Sequence, residues 1–214
     1  PEQLARALVL VPSRRSGQAL QAAFLSVNDG QAMLLPRMVP IGDIGDEINQ
    51  VDPIGALLDD VAPDLPPAIT AMRRQLLLAK LLRHFRLGDR YPTHPQAMLL
   101  ANSLGQLLDQ LYNADASAAA LRDLLPDHFS AHWQDILALL TILSERWPAI
   151  LAGEGAMDAV DRRNSFIRWQ AQHWQQTQPD NFIVVAGSTG SIKATRELIA
   201  VVAALPNGYV VLPG

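Results

Sequence analysis

"NFIVVAGSTGSIKAT", residues 181–195, runs from apolar residues through a loop of small ones into the start of a helical pattern. Phe182 to Ala186 is apolar throughout, which suits a strand covered on both faces, as in a parallel sheet. A helix is predicted from Ile192 to Leu205 and a further strand from Tyr209 to Leu212. The same order opens the chain in "ALVLVPSRRSGQALQAAFL", residues 7–25. Ala7 to Val11 is a continuous apolar run, Pro12 stops it, and Ser13 is suited to cap a helix. Leu20, Ala23, Phe24 and Val27 then recur at helical spacing.

"AMLLPRMVPIGDI", residues 32–44, is a second short apolar run interrupted by Pro36 and Pro40. It is read as a strand followed by Arg37, with a short helix over residues 43–49. "QVDPIGALLDDVAPDLPP", residues 50–67, carries four prolines, four aspartates and no basic residue, the composition of a surface connection. From Ala68 to Trp174 the pattern is helical. Leu78, Leu81, Leu82 and Phe85 form one apolar stripe; Leu100, Leu104, Leu107, Leu108 and Leu111 form another. Trp133, Ile136, Leu137, Leu140 and Trp147 form a third, and a helix from Asp161 to Gln175 is expected to bury Ile167, Ala171 and Trp174.

The predicted fold is therefore α/β, a parallel sheet with a large all-helical insertion. Residues 1–50 form the first part of the α/β domain, 51–67 a linker, 68–178 the helical insertion and 179–214 the second part. The loops after the first strand and after Val185 then share the carboxyl edge of one sheet, where open α/β sheets bind their ligands.

The 214 residues are enough to bury a sizeable core; 49% are apolar and 18% charged. A net charge of −4 excludes a uniformly basic nucleic-acid binder but not a local basic patch. With no cysteine, thiolate metal sites and disulfides are excluded, and a cytoplasmic location is expected. No apolar run reaches the roughly eighteen residues that a membrane span needs, and no stretch reads as a secretory signal. The chain begins at Pro1 and stops just after an apolar strand, so it is expected to be a piece of a longer protein.

The 187–191 loop fails each standard chemical test. A Walker A loop needs GxxxxGK[ST], but Gly187 and Gly190 are three apart, Lys193 follows Ile192, and Ala194 stands where a magnesium-binding hydroxyl belongs. Nor does "FIVVAG", "LVLVPS" or "YVVLPG" end in the carboxylate that would hold magnesium. "AGSTG" misses the nucleophile elbow GxSxG by Ala186, and no His follows His173 to activate Ser188. His84, His94, His128, His132 and His173 are scattered, so no metal site is expected. No catalytic residue is expected either.

The basic residues are more informative. Arg14 and Arg15 fall at the start of a helix on the presumed binding edge, and Arg37 follows the second strand. These positions suit contacts to a nucleic-acid backbone. Arg73, Lys80, Arg83 and Arg86 lie off the leucine stripe and read as a solvated face.

"LVLVPSRRSGQALQAAFL", "MLLPRMVPIGDI", "LPPAITAMRRQLLLAKLL", "HWQDILALLTILSERWPAIL", "DRRNSFIRWQAQHW" and "VVAGSTGSIKATRELIAVVAALPNGYVVLPG" together resemble the N-terminal region of the AddB family, alphaproteobacterial type. This family supplies one subunit of the AddAB helicase–nucleases that process double-strand DNA breaks. The resemblance covers nearly the whole chain in order, through many loose stretches and no strict motif. It implies a P-loop fold of the superfamily-one helicase motor type, with "LVLVPSRR" leading into a DNA-contacting motif. "FIVVAGSTG" would be the strand that carries the magnesium-binding acid in active motors, and Ala186 and Gly187 stand where acids are expected. The resemblance thus implies a motor without its engine.

It further implies an AddA-like partner subunit that holds ATP and magnesium, and an iron–sulfur cluster near the parent protein's C-terminus, with no cofactor in these residues. DNA, as single strand or duplex end, is the expected ligand. Arg14, Arg15 and Arg37 would touch phosphates, and Ser188, Thr189 and Ser191 would donate hydrogen bonds to the strand. One rival is a small-molecule or nucleotide-binding α/β domain that uses the 187–191 loop as an anion site; another is a pure protein–protein scaffold.

Overall fold

A computed structural model of the chain describes residues 2–28, 31–43, 63–86, 90–117 and 142–213. All but the first residue of the expected helix at 43–49, most of the 50–67 connection, and Trp133, Ile136, Leu137, Leu140, His128 and His132 lie outside the described residues. The elements in chain order are α1 (Glu2–Arg6), β1 (Leu8–Val11), α2 (Arg14–Val27), β2 (Arg37–Pro40), α3 (Ala71–Leu82), α4 (His94–Ala114), α5 (Trp147–Glu154), α6 (Ala159–Thr177), β3 (Ile183–Ala186), α7 (Lys193–Ala204) and β4 (Gly208–Val211). The chain divides into two compact units, one of Pro1–Pro63 with Arg163–Gly214 and one of Asp64–Arg162, so the division falls inside α6.

The first unit is α/β. Its four strands are all parallel, in the order β2-β1-β3-β4. All four residues of β1 are buried, as the unbroken apolar run requires of a strand covered on both faces. In β3 burial alternates, with Ile183 and Val185 inside. The register pairs Leu8 with Ile183 and Leu10 with Val185, so these four apolar side chains share one face of the sheet.

Ser13 caps α2 through its side chain, which accepts from the Ser16 N–H, as its position before the helix dictates. Gly17 is the one buried residue of α2; a Cβ there would lie 3.6 Å from Val11 Cγ2 and 3.9 Å from Met38 Cβ. The apolar stripe expected along α2 is only partly inside. Leu20 and Phe24 are half-buried, whereas Val27 is 87% exposed, because the helix makes its close approach to the sheet near Gly17, in its first half.

The second strand begins later than its apolar run indicates. Met33 to Leu35 is not strand, and β2 opens at Arg37, whose N–H donates to the Ala7 carbonyl at 3.0 Å. Pro36 has no N–H for the ladder, so pairing starts one residue after it. On α6, Phe166, Ile167, Ala171 and Trp174 are buried. Arg168 on α6 pairs with Glu197 on α7 at 3.4 Å.

The second unit is helical. Leu78 and Leu82 of α3 and Leu104, Leu108 and Leu111 of α4 meet in one core with Ile142, Leu143, Trp147 and Leu151. Leu81, Phe85, Leu100 and Leu107 pack against its margin, as the two leucine stripes predict. The ends of the unit are tied backbone to backbone: Ile69 N–H donates to the Met157 carbonyl, and Met157 N–H to that of Pro67. Ile142–Arg146 is wound as a π-helix immediately before α5, whose second residue is Pro148.

A buried ionic centre lies inside this unit. Arg74 Nε donates to Asp158 Oδ2 at 2.9 Å, and its Nη2 donates to Asp109 Oδ1 at 2.8 Å and to the Gly105 carbonyl at 3.1 Å. Trp147 Nε1 donates to the same Asp158 oxygen at 3.3 Å. Burial raises the Asp158 carboxyl above the ordinary carboxylate range, against the opposing pull of Arg74. Burial also pushes the Tyr112 phenol well above its ordinary range, with a further push from Asp158. Arg73, one position along, faces solvent and pairs with Glu154 at 2.7 Å.

Candidate functional site

In the strand order β2-β1-β3-β4, the chain moves outward from β1 in one direction and from β3 in the other. Right-handed connections then place α2 and α7 on opposite faces, and a crevice opens where β1 and β3 end. Pro12 and Ser13 follow β1 on one side of it; residues 187–192 follow β3 on the other. The two loops touch, since a Cβ on Gly187 would lie 3.8 Å from the Pro12 ring.

The shape of the 187–191 loop comes from its glycines. Gly187 and Gly190 take φ of 75° and 63°, in the left-handed region that side chains other than hydrogen avoid. Gly187 N–H donates to the Val211 carbonyl at 2.7 Å and Arg196 Nε donates to the Gly190 carbonyl at 3.1 Å, so both ends of the loop are pinned. Ile192 is the N-cap of α7, and no side chain caps that helix. Its first-turn N–H groups therefore point out of the helix start toward the loop.

These parts enclose a cleft of 440 Å³ at the carboxyl edge of the sheet. Ser188, Thr189 and Ser191 line it, and so do Thr195 from α7 and Arg163 from α6. Ser188 is only 8% exposed and Thr195 only 5%. None of the lining residues is acidic. Thr189 and Ser191 are exposed.

Of the expected site residues, Ser188, Thr189 and Ser191 are thus brought together. Arg14 and Arg15 are the first two residues of α2, exposed, just beyond Ser13 at the same edge. Arg37 is not at this edge. It opens β2 and pairs in register with Leu8, the first residue of β1, so it sits at the amino edge of the sheet. In a parallel sheet these edges are the opposite ends of the strands, and the expectation that Arg37 follows the second strand is corrected: it begins that strand. Arg37 is also only half-exposed, with its Nη2 buried.

Sequence reasoning missed Arg163 and Thr195. Thr195 was within reach, because it stands in the first turn of the helix that follows the loop. Arg163 reaches the cleft from α6, a helix that the sequence assigns wholly to the insertion. Among the described residues, no group of three or more His, Cys, Asp or Glu side chains is placed to hold a metal ion. No described helix is long and apolar enough to cross a membrane.

Fold and site together define an α/β domain with a polar, acid-free crevice at the switch point of a parallel sheet. No protein-family model matches the chain, and no curated protein matches it.

Proposed function

We propose that this chain is a non-catalytic DNA-binding and scaffolding domain of an ATP-dependent helicase–nuclease subunit that processes double-strand breaks. On this reading it is an inactivated motor of the superfamily-one type, working in the cytoplasm beside an AddA-like partner. The parallel sheet and the carboxyl-edge crevice are compatible with such a motor, and the resemblance of the quoted stretches to the AddB family is what supports the more specific reading.

The observation that carries the DNA reading is the placement of Arg14 and Arg15. They occupy the first turn of α2, which holds no acidic residue. The positive end of the helix macrodipole disfavours cations there by about 0.3–1 kcal/mol each. Two exposed arginines at the edge where such sheets bind ligands are what supports contact with a polyanion. Thr189 and Ser191 add exposed hydroxyl donors beside them.

The uncapped start of α7 favours a second reading, a nucleotide-binding domain that uses the loop as an anion site. Melting curves separate the two. The DNA reading expects a higher Tm with single-stranded oligonucleotide and none with ATP; the nucleotide reading expects the reverse. Loss of strand affinity at low salt in Arg14→Ala/Arg15→Ala supports the first, and unchanged affinity refutes it.

A further inference from the structure

We infer that the crevice holds a phosphate monoester, a terminal phosphoryl group rather than the phosphodiesters of a passing strand. This rests on taking the carboxyl edge as the working edge of the sheet, as proposed above. The α7 start contributes backbone donors from Ala194 and Thr195 with no side chain capping them. The independent observation is the pair of hydroxyls beneath them. Ser188 and Thr195 are both more than nine-tenths buried and both line the cleft. Among the described residues neither hydroxyl is given a protein partner, and neither is among the side-chain atoms sealed from solvent without one, so both open into the cleft.

A hydroxyl that opens into a cleft and has no protein partner can donate to a ligand oxygen. Two of them in one cleft, beside a helix start and the Arg163 guanidinium, form a donor set for an anion with several free oxygens. Arg163 also donates to Asn164 Oδ1 at 3.2 Å, which fixes its planar head.

Depth decides the class of anion. A phosphodiester carries a nucleoside on each side, and these hold it at the rim, where Thr189 and Ser191 are exposed. A monoester enters by its free end, presents three oxygens and carries about −1.5 to −2 charges at neutral pH. The cavity of the helical unit makes a useful contrast. At 310 Å³ it is of similar size, but the Arg74 in its wall is already held by Asp109 and Asp158, which line it too and leave no free cation for such a group among the described residues that line it.

The ligand comes either from a phosphorylated DNA end or from a free nucleotide, and one titration set distinguishes them. Single-stranded oligonucleotides of one sequence, ending in 5′-phosphate, 3′-phosphate or hydroxyl only, are titrated against the protein, alongside inorganic phosphate and AMP. A DNA-end source predicts at least tenfold tighter binding of one phosphorylated end than of the hydroxyl form, with competition by inorganic phosphate. A free source predicts AMP and phosphate binding without discrimination between oligonucleotide ends. In either case Thr195→Val, which keeps the side-chain shape, and Ser188→Ala each reduce the phosphate-dependent part about tenfold. Arg14→Ala/Arg15→Ala weakens all oligonucleotides alike and leaves the ratio of phosphorylated to hydroxyl ends unchanged. No discrimination between ends together with no binding of phosphate or AMP overturns the inference. So does discrimination that survives in both hydroxyl variants. The strand-binding reading stands or falls separately, on the arginine variant.

Discussion

Replacing Asp158 by Ala tests whether the ionic centre organises the helical unit. Asp158 is 0% exposed and its Oδ2 accepts from both Arg74 and Trp147. Removal leaves the buried Trp147 N–H without an acceptor, at about 1–3 kcal/mol, and removes one of the two carboxylates facing Arg74. Breaking a buried pair on one side costs about 3–5 kcal/mol. Arg74 keeps Asp109 and the Gly105 carbonyl, and its side chain is 16% exposed, so the low end of that range applies. The expected loss is about 3 kcal/mol in urea unfolding followed by tryptophan fluorescence. Asp158→Leu combined with Arg74→Met removes both charges and is expected to recover part of that loss, because the desolvation of both ions is relieved. Two results refute the reasoning: a single variant within about 0.5 kcal/mol of wild type, the range of an ordinary surface change, or a double variant less stable than the single one by a further full increment.

The pH dependence of the same group has a definite sign. Its folded carboxyl titrates above the ordinary 3.8, so the folded state holds the proton longer than the unfolded chain does. Stability from this group is therefore full below 3.8 and is lost as pH rises through the folded value. Relative to Asp158→Asn, which does not titrate, wild type is expected to lose urea stability with rising pH across that window; a relative gain contradicts the assignment. At the other end of the chain, Gly208 starts β4 with no room for a side chain: a Cβ would lie 1.8 Å from the Val202 carbonyl oxygen and 2.9 Å from its carbon. Because backbone has to move, Gly208→Ala is expected to cost more than about 3 kcal/mol or to abolish soluble expression, and a near-normal Tm refutes the packing described.

The sheet was readable because its strands are short apolar runs flanked by Pro, Gly and Ser, and the α3 and α4 stripes because their period matches the helix. What escaped was set by long-range pairing. Arg37 reads as following a strand until the Ala7 carbonyl, thirty positions earlier in sequence, shows where pairing begins. Arg74 looks like one more charge on a basic helix, and its partner Asp158 is 84 positions away. Arg163 sits in a run of polar residues and gives no local sign that α6 carries it to the crevice. Ser188 reads as a hydroxyl in a loop, but its burial depends on the way Gly187 and Gly190 turn the chain. Local chemistry was visible in each case, and the partner was not.

The most direct measure of the central claim is the salt dependence of single-strand binding. Each phosphate neutralised on a single strand contributes about 0.7 to the slope of log affinity against log salt concentration. If Arg14 and Arg15 each neutralise one phosphate, Arg14→Ala/Arg15→Ala lowers that slope by about 1.4 and weakens binding most at low salt. A slope identical to that of the wild-type chain contradicts the account, for it would mean that neither arginine meets the strand.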